Sequence, residues 1–231
     1  MKQSEIEVNL IDHMGNDLSV VNAARVSFHK TSFWKEYEEG ALFEQDVKLI
    51  KYLAKHKHFS PFNHSFLTVR VKAPIFVARQ LVKHKFMPWN EVSRRYVDEE
   101  PEFYLPSDWR KRSNNVKQGS SEELVKILHN SSYLCESITV EEAVTVYTQN
   151  QLTLYEDLLE ANVCPEMARM VLPQNMMTEW IWSGTLGAYA DMLKLRLDPH
   201  TQYESRIVAE KIRDIVSPLF PVSLAALLEN K

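Results

Sequence analysis

Cysteine is scarce in this sequence: only Cys135 and Cys164 occur among 231 residues. Two cysteines are too few for the disulfide framework of a small secreted domain, so a reducing, cytoplasmic setting is expected. Neither has a histidine near it in the sequence, and both are expected to be small core or helix-end residues rather than nucleophiles. A histidine brought close by folding would change that interpretation.

Long apolar runs and excess positive charge are missing as well. The longest apolar runs are far shorter than a bilayer span, and residues 1–10 contain no apolar signal-peptide segment, so no membrane partner is expected. The formal net charge is −4 and the basic stretches are local, which argues against a nucleic-acid partner. No G-x-G-x-x-G motif occurs, so a Rossmann flavin site is not supported.

The overall composition is that of an ordinary globular chain, with 45% hydrophobic and 25% charged residues. Its length predicts one domain, over 1–231, with a sizeable core. Helices and short strands follow one another without a βαβ repeat, which predicts an α+β fold with a mostly antiparallel sheet and several long helices.

Hydrophobic periodicity places the individual elements. Alternating residues predict strands at 5–12, 67–71, 102–105 and 177–183. Helical spacing, caps and composition predict helices from Asn16 or Asp17, and at 42–56, 74–86, 121–162, 165–173, 186–197, 200–215 and 222–228. Within 121–162, Ser120 or Ser121 is expected to cap one segment, and Thr139 with Glu142 forms a capping-box pattern for another. The polar stretch 106–121, which contains Arg110, Lys111 and Arg112, is expected to be a surface loop, with an active-site lid as the alternative.

The most informative stretch is 73–96, APIFVARQLVKHKFMPWNEVSRRY. Pro74 suits a first helical position, Pro88 is expected to stop the helix, and the pairs Arg79/Lys83 and Gln80/His84 each share a helix face. This stretch brings together cations, a carboxylate, an amide and a hydroxyl beside an apolar segment. That combination is typical of a pocket for a polyanionic, hydrogen-bonding ligand, although a solvated cationic face is the simpler alternative.

Three histidines lie within 56–64, HKHFSPFNH. Metal binding is one interpretation, but the spacing is not that of a zinc signature and no cysteine is near, so no metal site is predicted. The structural interpretation is a helix end at His56, where a histidine cation is favoured, followed by a turn at Ser60-Pro61.

Lys83-His84-Lys85, followed after seven residues by Ser93, resembles the signature of the flavin-dependent thymidylate synthases, which has arginines in place of both lysines. Six further blocks are similar to that family and occur in its order. They are MGNDLSVVNAARVSF (14–28), HFSPFNH (58–64), VKAPIFVARQ (71–80), NEVSRRY (90–96), ARMVLP (168–173) and LRLDPH (195–200). Together they cover most of the chain and are more specific than one short motif.

The resemblance implies an enzyme that methylates deoxyuridylate (dUMP) to thymidylate. It implies methylenetetrahydrofolate as the carbon donor and bound FAD, reduced by NADPH, as the electron source. It also implies a homotetramer whose active sites are shared between subunits. Arg196 matches the arginine proposed to polarise the uracil ring, and a fixed cation can do so without exchanging its own proton.

The remaining roles are implied by motif position. The positions implied to bind the cofactors are His58, Ser60, Lys83, His84, Lys85, Glu91, Thr185, Gly187, Asp191 and His200. The positions implied to bind the nucleotide are Gln80, Lys83, Glu91, Val92, Ser93, Arg94, Arg95, Arg169 and Arg196. The matched Ser93 is not a covalent nucleophile in this family, which agrees with the absence of a Ser-His-acid arrangement in the sequence near it.

Several positions depart from the family pattern. Relatives commonly have glutamate at the position of Asn63, asparagine at Thr185, arginine at Gly187 and asparagine at Asp191. Together with the two lysines, these changes fall mainly among the flavin contacts, so weak FAD retention is expected. A non-catalytic nucleotide-binding relative with a degraded flavin site is therefore the alternative function. A nucleic-acid-binding protein that uses 83–95 and 110–112 is a third interpretation, which the net acidity disfavours.

Overall fold

A four-stranded antiparallel sheet forms the centre of the fold in the computed structural model, which describes residues 1–38, 40–97, 99–114, 119–129 and 137–229. Its strands are β2 (Glu7–Met14), β3 (Phe66–Pro74), β4 (Trp89–Glu91) and β10 (Met177–Thr185), in the order β2-β3-β10-β4. Four short strands form two further pairs: β1 (Lys2–Gln3) with β5 (Glu102–Phe103), and β6 (Arg110–Arg112) with β7 (Ser120–Leu124). A last pair joins β8 (Ile127–Leu128) to β9 (Ile138–Thr139).

One face of the central sheet is the core of the molecule. Leu67, Val69 and Val71 on β3 are fully buried, and on β10 Trp180 pairs with Val71 and Trp182 with Val69. Alternate residues of both strands are less buried, so the observed pattern is the period-two alternation that predicted these strands. The strands end at Pro74 and Thr185, which lie at opposite ends of the sheet because β3 and β10 run antiparallel.

Helices cover the buried face and extend beyond it. They are α1 (Asp17–Arg25), α2 (Glu44–Lys55), α3 (Ile75–Leu81), α4 (Val140–Glu160), α5 (Pro165–Ala168), α6 (Leu186–Arg196), α7 (Tyr203–Val216) and α8 (Pro221–Glu229). Helix α7 contacts α3, α6 and β2, whereas α4 and α5 belong to a second, smaller core around Phe103 and Tyr155. The predicted mixed, mostly antiparallel α+β architecture is confirmed. Within the described residues, no helix is long and apolar enough to cross a membrane.

Buried acidic side chains tie the helices together. Asp46 on α2 is fully buried and accepts hydrogen bonds from Arg25 Nε (2.9 Å), Arg25 Nη2 (2.5 Å) and Ser32 Oγ (3.0 Å). Asp17 on α1 accepts from the backbone N–H groups of Val222 and Ser223 at the start of α8. The segment from Arg25 to Ser32 is thereby fixed to α2, and the start of α1 is fixed to α8.

The predicted helix over 74–86 is shorter than expected. Helix α3 ends at Leu81, the N–H of Val82 makes the last α-helical bond to Ala78, and the N–H of His84 bonds Leu81 three residues back. Phe86 then adopts a left-handed backbone with φ 61°, which no α-helix continues through. The segment 82–87 is therefore a turn that precedes β4, and Pro88 follows the helix end by several residues.

The predicted helix over 121–162 is wrong in its first part. Residues 120–124 form β7, which pairs with β6, so Arg110, Lys111 and Arg112 lie in a strand instead of the expected loop. A cross-strand ion pair between Lys111 and Glu123 (2.7 Å) supports this pairing. Local helix propensity is a weak preference that strand pairing can override. Residues 115–118 and 130–136, including Cys135, lie outside the described residues.

The second part of that prediction is confirmed, because α4 begins with the expected capping box. Thr139 Oγ1 accepts from the N–H of Glu142 (3.1 Å), and Glu142 Oε2 accepts from the N–H of Thr139 (3.2 Å). Thr139→Ala removes one half of this cap and is expected to lower the free energy of unfolding by about 1 kcal/mol. Chemical denaturation measures the change. The control is Thr153→Ala at an exposed position within α4, where alanine is the better helix former, so an equal loss there would contradict the assignment.

Candidate active site

The geometry of the site depends on α6, which runs from one end of the sheet back to α3. Helix α6 begins directly after β10, and its last residue, Arg196, reaches the C-terminal end of α3. Arg196 Nη2 donates to the main-chain oxygen of Gln80 (3.2 Å), and Arg196 Nε donates to His84 Nε2 (3.0 Å). The LRLDPH and VKAPIFVARQ blocks, far apart in sequence, therefore meet at this point.

A cationic pocket opens beside Arg196. It has a volume of about 840 Å³ and lies between the end of α3, the end of α6 and the hairpin of β6 and β7. Of its described lining residues, five are cationic and one is a carboxylate, Asp198. The five cations are Arg79, Lys83, Arg110, Lys194 and Arg196. Gln80 and His200 line it as well, so the pocket contains four of the residues predicted from the sequence: Gln80, Lys83, Arg196 and His200.

His84 fixes the guanidinium of Arg196. Because arginine can only donate, His84 Nε2 must be the acceptor, so the imidazole is neutral with its proton on Nδ1. Burial and, to a lesser extent, the positive charge of Arg196 together lower the pKa of His84 to about 4. The ring also contacts Trp182, with 6.3 Å between centroids, which joins the site to the core of the sheet.

His84 is expected to stay neutral until the pH approaches 4. The unfolded chain takes up this proton near the ordinary pKa of 6.5 and the folded chain only near about 4, so His84 destabilises the fold progressively as the pH falls through that window. NMR of the imidazole nitrogens across pH 3–8 measures the titration, and Arg196→Ala is expected to raise the pKa. Titration of His84 near 6.5 in the unchanged protein would contradict this environment.

A second cavity, the carboxylate-rich pocket, lies on the other side of Arg79. It has a volume of about 350 Å³, and its described lining includes five carboxylates and four cations. Glu91, Val92, Arg94 and Arg169 line it, so four residues predicted to bind nucleotide meet here, but away from Arg196. Arg79 is common to both cavities.

Glu91 is tightly held in this second pocket. It accepts hydrogen bonds from Trp89 Nε1 (3.1 Å) and Thr178 Oγ1 (3.0 Å), and it pairs with Arg79 at 3.3 Å. One carboxylate therefore connects β4, β10 and α3. If Glu91 binds a ligand, as predicted, it does so with its carboxylate held by these three partners.

Ser93 and Arg95 line neither cavity. Ser93 Oγ accepts from Arg95 Nε (3.1 Å), and Arg95 lies over the ring of Tyr96 at 4.9 Å. Arg94, in contrast, donates to the main-chain oxygen of Glu99, and Arg169 to that of Glu166 (3.3 Å). The basic side chains of NEVSRRY thus point in different directions.

A third group, the helix-start cluster, consists of Asn63, Thr185 and Gly187, and Ser60 begins the 3-10 helix (Ser60–His64) that carries Asn63. Thr185 caps α6 and donates from Oγ1 to Asn63 Oδ1 (2.8 Å), and a Cβ on Gly187 would lie only 2.5 Å from the same oxygen. Three departures from the family pattern, Asn63, Thr185 and Gly187, therefore lie side by side. Asp191 is four residues after Gly187 and shares its face of α6.

His58 and Lys85 complete the predicted set. His58 is exposed and stacks on Tyr52, with 6.2 Å between ring centroids and 15° between planes, and Tyr52 also contacts His56. Lys85 is exposed in the turn after α3 and lines neither of the two pockets. The predicted site residues consequently fall into separate groups within one chain.

Sequence reasoning gave no site role to three of the cations in the first pocket, Arg79, Arg110 and Lys194. Arg110 belongs to a basic triplet in the stretch expected to be a surface loop. The alternative of an active-site lid would have brought that stretch to the site, but it did not single out Arg110. Lys194 lies two residues before Arg196, and only the position of the pocket reveals its relevance.

Fold and site define a mixed α+β protein with a large cationic pocket whose charge suits an anionic ligand. The profile of the family described as "Thymidylate synthase complementing protein" matches residues 9–222. A flavin-dependent thymidylate synthase of Thermus thermophilus is 40% identical over 227 residues, covering 96% of this chain and 76% of the relative. One of Thermosipho africanus is 35% identical over 222 residues, covering 96% and 90%.

A solved structure is similar over the whole chain. The UMP/dUMP methylase PolB from Streptomyces cacaoi, bound with 5-Br dUMP, has a TM-score of 0.80 and 28% identity, covering 99% of this chain and 97% of its own. The chain belongs to the thymidylate synthase complementing protein family. The family resemblance seen in the sequence is thus confirmed.

Proposed function

We propose that this protein is a flavin-dependent thymidylate synthase, which methylates dUMP to thymidylate with methylenetetrahydrofolate as carbon donor and NADPH-reduced FAD as electron source. The observation that carries the proposal is Arg196, which is fixed by His84 and lines a strongly cationic pocket. It is supported by relatives named for this activity and by the likeness to a dUMP methylase. The names of these proteins favour a catalytic function over the alternative, a non-catalytic nucleotide-binding protein.

The residues present suit phosphate-bearing ligands, because the cationic pocket carries five cations against one carboxylate in its described lining. Lys83, His84 and Lys85 would hold FAD, and Arg196 would face the uracil ring. The bound flavin supplies the redox chemistry, while the protein orients the reactants. Arg196, fixed by a neutral imidazole, would stabilise negative charge on the deprotonated uracil ring without giving up its own proton.

The remaining predicted residues are assigned by position. Glu91, Val92, Arg94 and Arg169, which line the carboxylate-rich pocket, would bind the nucleotide. Ser93 and Arg95, which line neither cavity, would contact it from the segment that follows β4. The helix-start cluster, with His58, Ser60 and Asp191, would lie against the flavin and the folate. One domain over 1–231 is proposed, and its main core extends from Ile6 to Leu227. We further propose that the protein acts in the cytoplasm, without nucleic acid or membrane partners.

Turnover tests the proposal directly. Purified protein is incubated with FAD, NADPH, methylenetetrahydrofolate and dUMP, and thymidylate is quantified by chromatography. The expected result is thymidylate formation that requires each component, with a dUMP-dependent shift of the visible flavin spectrum. Retained flavin and nucleotide binding without any thymidylate would identify a non-catalytic binding protein instead.

Replacing both signature lysines with arginine is expected to tighten FAD binding by about tenfold, because arginine adds a bidentate, charge-assisted contact that lysine cannot make. Flavin fluorescence titration of the Lys83→Arg/Lys85→Arg variant measures this against the unchanged protein. Lys48→Arg, at an exposed position on α2, is the control. Tight FAD binding by the unchanged protein, with no gain in the double variant, would contradict the expected weakness of this site.

We also propose a homotetramer in which each active site combines residues of several subunits. The proposal is supported by the separation of the two pockets and the helix-start cluster within one chain. Large apolar side chains near these groups are exposed, including Phe86 (89%), Met170 (75%) and Tyr96 (76%), as expected for surfaces covered by other copies.

Complementation distinguishes shared from separate sites. Arg196→Ala and Arg169→Ala each alter a different pocket, so mixed assemblies of two inactive variants should regain part of the activity if one site uses both pockets from different subunits. Unfolding and refolding the two variants together provides the mixture. No recovery in a confirmed tetramer would contradict sharing, and a stable monomer by light scattering would contradict the assembly itself.

A further inference from the structure

The hairpin of β6 and β7 forms one wall of the cationic pocket. Arg110 from β6 and Ser120 from β7 both line it, and the hairpin contacts the opposite wall at Gly119. A Cβ on Gly119 would lie 3.3 Å from the main-chain oxygen of His200, and its φ of 94° favours glycine. The hairpin therefore lies directly against the segment that follows α6.

Arg110 is held in place on three sides. Its Nη2 donates to Glu204 (2.5 Å), its Nε donates to Ser120 Oγ (2.9 Å), and its guanidinium carbon lies 4.7 Å from the centre of the Tyr203 ring. Its side chain is 22% exposed and that of Glu204 only 5%. A long flexible side chain is thus fixed before any ligand arrives, which lowers the entropic cost of binding.

Glu204 connects Arg110 to the residues around Arg196. Gln202 donates to Glu204 (3.2 Å), and Gln80 donates to Gln202. Ser205 in turn donates to Gln80 (3.1 Å), whose main-chain oxygen accepts from Arg196. Arg110 and Arg196 are therefore positioned by one continuous set of hydrogen bonds at two sides of the same pocket.

Part of the guanidinium is left for a ligand. Within the described structure Nη1 of Arg110 makes no hydrogen bond, and Glu204 does not line the pocket, so the lining remains strongly positive. A planar guanidinium with free N–H groups is suited to phosphate oxygens. A purely structural ion pair would not require the cation to border a cavity of about 840 Å³.

We propose that Arg110 is a phosphate-binding residue of this pocket, preset by Glu204, and that it contacts a phosphate group of either the nucleotide substrate or the flavin cofactor. The assignment rests on the proposed function for the identity of these ligands. Arg110 lies outside every motif that carries the family resemblance. It would add a binding contact without taking part in the bond changes, so its loss should raise Kd or KM and leave kcat nearly unchanged.

The test compares Arg110→Ala with Lys111→Ala. Lys111 is the neighbouring cation of the same strand, exposed and paired with Glu123 (2.7 Å), and it does not line the pocket. FAD, dUMP and inorganic pyrophosphate are titrated separately by calorimetry. Arg110→Ala is expected to weaken at least one of them by about tenfold or more, whereas Lys111→Ala should change each by less than about twofold.

The pattern of losses identifies the phosphate. Weaker FAD binding alone assigns Arg110 to the cofactor, and weaker dUMP binding alone assigns it to the substrate. Unchanged binding of all three ligands, or equal losses in both variants, overturns the proposal. If Arg110→Ala fails to fold by circular dichroism, Arg110→Gln replaces it, because an amide can still donate to Glu204 but carries no charge.

Failure of the proposed function is distinguishable from failure of this inference. A protein that forms no thymidylate but binds pyrophosphate through Arg110 would refute the enzyme and retain the phosphate site. If the protein forms thymidylate but binds FAD, dUMP and pyrophosphate equally well with and without Arg110, the proposed function stands and the phosphate site is refuted.

Discussion

Replacing Arg196 with alanine is expected to lower kcat for thymidylate formation by about 10²–10³-fold, the loss typical of removing one preorganised charge that stabilises a transition state. The guanidinium is half-buried and fixed by His84 at 3.0 Å and by the main chain of Gln80 at 3.2 Å. Burial lowers the pKa of Arg196, but arginine stays charged in proteins. Single-turnover and steady-state assays of thymidylate measure the effect.

Two further variants separate position from charge. Arg196→Lys keeps the cation but loses the Nε donor to His84, so an intermediate kcat is expected. Lys194→Ala removes another cation of the same pocket, two residues earlier on α6, and should retain most of the activity. Equal losses in Arg196→Ala and Lys194→Ala would show that only the total charge of the pocket matters.

The largest loss of stability is expected for Asp46→Ala, at about 3–5 kcal/mol, because it leaves the charge of Arg25 without its partner inside the protein. Asp46 is fully buried and the Arg25 side chain is only 18% exposed. The hydroxyl of Ser32 loses its acceptor as well. Equilibrium denaturation with urea, followed by tryptophan fluorescence, measures the free energy of unfolding.

Asp214→Ala is the matched control. Asp214 also pairs with an arginine, Arg213, at 2.8 Å, but both side chains are substantially exposed. Such surface pairs contribute at most about 1 kcal/mol. Comparable losses in the two variants would mean that burial does not set the strength of the Arg25–Asp46 interaction.

The central elements of the fold were predictable because their patterns are local. The alternation in β3 and β10 and the Thr139–Glu142 capping box both depend on neighbours within a few residues. The end of α3 and the strand β7 were not predictable in the same way. The first depends on a left-handed residue, Phe86, and the second on pairing with β6, which local propensity does not encode.

The candidate site likewise contains some residues that the sequence predicted and others whose role depends on contacts between distant parts of the chain. The family resemblance supplied Arg196, Gln80, Lys83 and His200, and these four meet in one pocket. The alternative of an active-site lid over 106–121 pointed to the stretch that contains Arg110 but not to that residue, because its position depends on how a hairpin folds back onto the segment after α6. The neutral state of His84 was hidden too, since it results from burial and from an arginine that lies 112 residues away in sequence.

Helix α6 also sets a limit on how this sequence can change. The helix joins Thr185 at the helix-start cluster to Arg196 at the cationic pocket, and its eleven residues span about 16 Å at 1.5 Å each. Inserting or deleting one residue would turn everything beyond it by about 100° and move Arg196 away from both His84 and Gln80. Substitutions can therefore accumulate along α6, as at Gly187, but its length cannot vary without separating the two ends of the site.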